Sequence, residues 1–288
     1  MRKAIKSFVI DKDFNGSRVD RFIKKQFPNV PQSLLEKNFR KKNITVNRQK
    51  VKSLYKLSLD DIVEIFTELK VDTLINKKKY SFNQNDFNEL KKNFIFECDD
   101  YCILNKPYGY ASQGGLKVKK SVIDILNSKS KNFYIVHRLD QDTSGLMLVA
   151  KNRFNAVKFS ELFKTREITK KYLVIINGKI EKNKGELHTK DKIDGKLVES
   201  KLYFETKAKN KNFSYLEVEL ITGRKHQIRR QFSDIGHPVV GDFKYGDKKN
   251  NIPLCLLSYE LEFKYNNKFR KYKADIPDEF KTCLEKFF

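Results

Sequence analysis

The chain has 288 residues, 39% of them apolar, with 23 Phe and 13 Tyr; this is enough for more than one packed domain and excludes a disordered chain. Lys and Arg number 60 against 36 Asp and Glu, so a surface of formal charge +24 calls for a polyanionic partner, with a Lys- and Asn-rich composition bias contributing. Four scattered Cys make no disulfide framework, no apolar run approaches the ~20 residues of a membrane span, and the start lacks an apolar signal stretch, so a reduced, cytoplasmic protein is expected.

Residues 1–66 read as a small basic module, the first 70 residues holding 17 Lys and Arg against 8 Asp and Glu. Ser17, with Asp20 three positions on, resembles a capping box. Val19, Phe22, Ile23 and Phe27 then form an apolar face at helical spacing, and Pro28 ends it. Pro31 opens a second helix with Leu34, Leu35 and Phe39 on one face and Lys37, Arg40, Lys41 and Lys42 on the other. Ile44 and Val46 alternate as a strand, Asn47-Arg48 is a turn, and Ile62, Val63 and Ile65 form a further strand. Residues 67–92, with Lys77-Lys78-Lys79 and little periodicity, read as a linker.

From residue 93 to 288 the pattern mixes strands and helices. Strands are predicted at 94–96, 101–104, 146–149, 172–176 and 213–220; in the last of these Leu216, Val218 and Leu220 share one face. Ser121 with Asp124 caps a short helix carrying Val122, Ile125 and Leu126, and Ala156, Val157, Phe159 and Phe163 suggest another. Ile228, Phe232 and Ile235 lie at i, i+4 and i+7, with Gly236 and Pro238 ending that helix. The fold class is therefore α+β: a mixed, largely antiparallel sheet domain preceded by a small α+β module.

Three segments carry chemistry. In His137-Arg138-Leu139-Asp140-Gln141-Asp142-Thr143-Ser144-Gly145 a carboxylate stands on a loop just before a solid apolar strand. Gly145 allows a tight turn, and Thr143 and Ser144 can hold the loop backbone. The alternative is a structural turn. In Gly223-Arg224-Lys225-His226-Gln227-Ile228-Arg229-Arg230, backbone N–H groups and cations at a helix start suit phosphate, against a plain basic helix face. Lys106-Pro107-Tyr108-Gly109 is a turn signal.

Together these elements resemble the RluA-type family of pseudouridine synthases, in particular its RluC-like branch. The carrying residues are His137-Arg138-Leu139-Asp140 with Thr143-Ser144-Gly145, Lys106 to Gly109, Lys170-Lys171-Tyr172, Gly223 to Arg229, Gly236-His237-Pro238 and Gly241-Asp242. They fall in order over about residues 95–275. Ser17 to Ile23, Val30 to Ser33 and Ile44 to Asn47 resemble an S4-like RNA-binding module. Two positions depart from the family: Gln113 precedes Gly114-Gly115 where a His is common, and Leu257 replaces another.

The resemblance implies isomerisation of uridine in large-subunit (23S-type) ribosomal RNA or a pre-50S particle, without cofactor or metal, and the basic surface favours a monomer on that RNA. Asp140 would attack the base or the ribose, or deprotonate the sugar. Arg229 would be its ion partner, and Tyr172 would stack on the base and assist late proton removal. His137 and Arg138 would shape the loop and contact RNA, with Arg138 holding the flipped nucleotide's space. Lys106, Arg224 and Lys225 would contact phosphate, as would Arg40, Lys41 and Lys42 on the basic helix. Transfer RNA is the alternative substrate. A hydrolase pairing Asp140 with Asp142 and a non-catalytic RNA-binding or ribosome-assembly factor are the competing functions.

Overall fold

The computed structural model describes residues 2–69, 82–115, 118–128, 132–193, 196–246 and 252–288. The chain divides into two compact units, residues 1–78 and 79–288. Lys77-Lys78-Lys79 lies outside the described residues.

The first unit runs β1 (Lys6–Val9), α1 (Val19–Gln26), α2 (Gln32–Arg40), β2 (Ile44–Val46), β3 (Gln49–Lys50) and β4 (Ile62–Ile65). Its sheet is ordered β1-β4-β2-β3, and every ladder is antiparallel. Val19, Phe22 and Ile23 of α1 and Leu35 and Phe39 of α2 close one core with Ile44, Val46 and Val63. The β2–β3 turn places Asn47 and Arg48 at positive φ, as a two-residue hairpin requires. Ser17 is not the cap of α1. Arg18 holds that position, with no side-chain capping bond to the helix N–H groups. Asp20 is instead buried, taking hydrogen bonds from Arg18 Nε at 3.0 Å and from Gln32 Nε2 at 3.0 Å, so it ties α1 to the start of α2. Arg40, Lys41 and Lys42 are exposed at the C-terminal end of α2, where cations also suit the helix dipole.

The second unit runs α3 (Gln84–Lys91), β5 (Phe94–Glu97), β6 (Tyr101–Lys106), α4 (Val122–Leu126), β7 (Tyr134–Ile135), β8 (Ser144–Ala150), α5 (Arg153–Thr165), β9 (Thr169–Asn177), β10 (Lys184–Ile193), β11 (Lys196–Lys209), β12 (Phe213–Leu220), α6 (Gln227–Asp234), β13 (Leu256–Tyr265), β14 (Lys268–Lys273) and α7 (Asp278–Phe287). The sheet order is β10-β11-β12-β9-β13-β8-β6-β5, with β14 on β13 and β7 on β8. Among the described strands the ladders are antiparallel except β13 on β8. The expected α+β class with a mixed, largely antiparallel sheet is what the chain adopts.

Strand alternation divides the sheet into two buried faces. Tyr172, Val174 and Ile176 of β9 join Leu216, Val218 and Leu220 of β12 in one core, which α3, α4 and α6 cover. Leu173 and Ile175 point the other way, into a second core under α5 and α7. Leu257, the residue that departs from the family pattern, is fully buried in that second core.

Two sequence readings change here. Residues 84–91, assigned to the linker, are the helix α3. Asn83 and Asp86 form a reciprocal capping box, and Phe87 and Leu90 are buried in the first core. Burying two such side chains is worth about 1.5–3 kcal/mol each, which a solvated connector would forgo. Ile235, assigned to the buried face of α6, is its C-cap and is 44% exposed; the helix stops a residue early because Gly236 takes φ +81°.

Candidate active site

One row of residues crosses the sheet by direct register: Val218 to Tyr172, Tyr172 to Ser258, Ser258 to Gly145 and Gly145 to Lys106. Gly145 sits at the parallel joint of β8 and β13. Its φ is +104°, and a Cβ there would collide with the Ser258 carbonyl, so no other residue fits. The bare backbone lets the start of β8, just after the loop 137–143, close on Ser258, whose other neighbour across the sheet is Tyr172.

That loop alternates. Leu139 is buried in the first core, and the His137 ring stacks on Phe163 at 4.3 Å, while Arg138 is exposed and Asp140 keeps 22% of its side chain accessible. The His137 Nε2 accepts the Leu148 N–H at 2.8 Å, and burial pushes the imidazole down to about 3. His137 is thus a neutral anchor with one ring face and its Nε2 already occupied, and it is not a cationic contact for RNA. Thr143 and Ser144 make no side-chain hydrogen bond among the described residues. The loop is held instead by buried Ser112, whose hydroxyl donates to the Leu139 carbonyl at 2.7 Å and accepts the Leu139 N–H at 2.9 Å.

Lys106 completes this scaffold. It is fully buried, and its ammonium donates to the carbonyls of Pro107 (3.1 Å), Tyr110 (2.7 Å) and Gln141 (3.2 Å). Gly109 N–H also donates to Gln141 O at 3.1 Å. The phosphate role expected for Lys106 is therefore incompatible with its position. It pins the Lys-Pro-x-Gly turn to the residue after Asp140. Burial pushes its pKa down to about 7, with Asp142 and then Asp140 opposing.

Asp140 meets two groups from the segment 226–229. His226 Nε2 lies 3.5 Å from its Oδ1, and Arg229 Nη1 lies 3.9 Å from its Oδ2. Arg229 is nearly fully buried, and its main partner is Asp242, which takes Nε at 2.6 Å and Nη2 at 2.7 Å. The sequence reading names Asp140 as the partner of Arg229; the structure keeps that approach and adds Asp242, which the sequence reading did not name as a partner. A buried guanidinium needs a paired counter-charge, and Asp242 supplies it, leaving Nη1 for Asp140. Burial would raise the Asp242 carboxyl, but Arg229 and the N–H groups of Tyr245 and Lys244 outweigh it and hold it below the usual range. A carboxylate so committed is no general acid.

Tyr172 is 7% exposed. Burial pushes its phenol up to about 12; a side-chain hydrogen bond with Ser258 opposes this, and the charge of Asp140 adds to it. At neutral pH it can offer a ring face and a hydroxyl, but not a standing phenolate base.

The segment before α6 also differs from expectation. The helix begins at Gln227, after His226 in a left-handed conformation (φ 51°). The Arg224 N–H is taken by Gln227 Oε1 at 3.1 Å, so residues 223–225 do not form a backbone phosphate cradle at a helix start. The side chains of Arg224 and Lys225 are exposed and remain available to an anion. Buried Gln227 and Gln231 fix α6 to β10 and β11 through Thr222, the Lys201 carbonyl, Thr189 and the Ser200 carbonyl. Sequence reasoning assigned no role to Ser112, His226, Gln227, Asp242 or Tyr245. His226, Gln227 and Asp242 lie inside quoted motifs, which was the available signal; Ser112 had none.

A partly accessible carboxylate, Asp140, faces a buried guanidinium and lies near enough to Tyr172 for its charge to act there, which makes this the candidate site of an enzyme. The family model for RNA pseudouridylate synthase matches residues 100–234. Ribosomal large subunit pseudouridine synthase C of Rickettsia felis is 35% identical over 255 residues, covering 81% of this chain and 83% of that protein. The Haemophilus influenzae protein of the same name is 30% identical over 313 residues, covering 99% and 96%. The solved structure of human RNA pseudouridylate synthase domain containing 4 shares the fold, with a TM-score of 0.59 at 22% identity over 69% of this chain and 94% of that one. The chain belongs to the RNA pseudouridine synthase family, as an RluC-like member of its RluA-type group.

The burial of Lys106 makes a testable distinction. Lys106→Met is expected to slow turnover by about 100-fold through loop displacement. RNA affinity and its salt dependence should stay as in the wild type. A salt slope reduced by about one in filter-binding titrations would instead restore the phosphate reading. Stability carries a second signature. The folded pKa lies below the unfolded one, so the unfolded chain binds more protons between about pH 7 and 10. The Lys106 contribution to stability therefore rises with pH across that window, and denaturant titrations should find this rise missing in Lys106→Met.

Proposed function

We propose that this protein isomerises specific uridines of large-subunit ribosomal RNA to pseudouridine, with Asp140 as the attacking carboxylate. The observation that carries the reading is the grouping of Asp140 with Arg229 at 3.9 Å and with Tyr172, which feels its charge, within a chain that aligns along most of its length with synthases named for the large ribosomal subunit. Arg229 stays cationic and presents its Nη1 to Asp140. The target base leaves its stack at a cost of a few kcal/mol and lies against Tyr172. Exposed Arg138, two residues before Asp140, occupies the space the base vacates, and Arg224 and Lys225 take phosphates.

Residues 1–66 serve, in this reading, as an S4-like RNA-binding domain that selects the site, with Arg40, Lys41 and Lys42 against the backbone of the RNA. Their exposure supports it. The protein acts as a monomer on 23S-type RNA or a pre-50S particle in the cytoplasm; no helix among the described residues is long and apolar enough to cross a membrane. Pseudouridine mapping of total RNA from cells with and without the protein tests the whole reading. Signal lost at large-subunit positions is the expected result. Loss confined to transfer RNA would reject the ribosomal substrate, and no loss anywhere would reject the enzyme.

A further inference from the structure

We propose that His226, oriented by Tyr245, is a positioning residue that fixes the carboxylate plane of Asp140 for attack. The inference rests on the reading of Asp140 as the attacking group and adds how that group is held.

Two contacts make the case. The His226 Nδ1 lies 2.9 Å from the Tyr245 hydroxyl, and its Nε2 lies 3.5 Å from Asp140 Oδ1. The groups that face this imidazole are Asp140 from the loop, Arg229 from α6, Lys225 from the preceding segment, and Lys244 and Tyr245 from the turn after Asp242. Burial and three cations outweigh one carboxylate, and the ring is neutral at pH 7. A neutral imidazole has one N–H. Were it on Nδ1, the bare Nε2 lone pair would face a carboxylate oxygen and repel it. The tautomer with Nε2–H is therefore favoured, and the Tyr245 hydroxyl donates to Nδ1.

The consequence is a two-point hold. Arg229 approaches Oδ2 and His226 approaches Oδ1, so rotation of the carboxylate loses a favourable contact either way. Arg229 alone would leave that rotation free. At 3.5 Å this contact is longer than a formed hydrogen bond, as catalytic contacts often are before substrate binds and tightens them. The hold is itself braced. Tyr245 is fixed by its N–H to Asp242 at 3.0 Å and by its carbonyl, which accepts the Ser233 hydroxyl at 2.8 Å. The left-handed backbone of His226 (φ 51°) turns the ring toward Asp140 just before α6 begins.

The test uses the full chain and total RNA from cells lacking the protein. Single-turnover rate and RNA affinity are measured from pH 5 to 9 for wild type, His226→Asn, Tyr245→Phe and Asp140→Asn. Asn tolerates the left-handed backbone, and Phe keeps the ring beside Arg229 while removing only the hydroxyl. Expected is a rate loss of about 100-fold in His226→Asn and about 10-fold in Tyr245→Phe, with affinity within about twofold of wild type. An inactive Asp140→Asn beside variants that turn over like wild type would overturn this inference alone. Rates falling in step with affinity would overturn it too, by marking a structural role. An active Asp140→Asn would remove both this inference and the reading beneath it.

Discussion

Asp140→Asn is expected to lower turnover by about 10^4-fold or more while leaving RNA binding and folding nearly intact. The amide has the shape of the carboxylate but cannot attack. Stability should change little, because the costly buried charge nearby, Arg229, is neutralised by Asp242 and not by Asp140. Single-turnover conversion of target uridines, beside an affinity titration and a thermal melt, reads all three quantities. Residual turnover above about 1% of wild type would sink the assignment of Asp140.

Asp242→Asn has the opposite profile. It is expected to cost about 3–5 kcal/mol of stability, because the Arg229 cation is left buried without its counter-charge. Activity should fall with it, since Arg229 then reorients or takes up Asp140. The pair Arg229→Met with Asp242→Leu should recover much of the stability, as apolar replacement of a buried ion pair usually does, yet remain inactive. Urea titrations of the three proteins measure this. A single substitution costing less than about 1 kcal/mol would show the pair to be hydrated rather than buried.

The sign of the pH dependence follows from the same pair. Asp242 has a folded pKa below its unfolded value, so its stabilisation is full above about pH 4 and disappears as pH falls through the lowered value. Wild type should therefore lose an increment of stability on acidification that Asp242→Asn never had. Parallel acid-unfolding curves for the two would contradict the ion pair.

Much of the fold was readable from periodicity. The alternation of residues 213–220 places Leu216, Val218 and Leu220 inside, as in the structure. Pro31 precedes α2, and Ser121 caps α4. The failures share a cause. Helix α3 is short, and its Asn83 to Asp86 capping box was lost among the polar residues around it. Asp20 looked like a cap because sequence spacing cannot reveal Gln32, twelve residues on, as its partner. Tyr172 was placed on a strand from its neighbours, but its nearness to Ser258 depends on a strand added after α6.

The sequence by itself determined the strands and helices with clear period, the order of the motifs and thus the family, and the presence of Asp140 on a loop closed by Gly145. Those properties are local, or depend on residue order alone. Only the tertiary structure decided which charge answers which. Lys106 meets a carbonyl 35 residues away, and Arg229 meets Asp242 13 residues away. His226 reaches Asp140 from 86 residues further along the chain. Exclusion of water sets whether a lysine holds a phosphate or pins a loop, and that exclusion exists only once distant strands have come together.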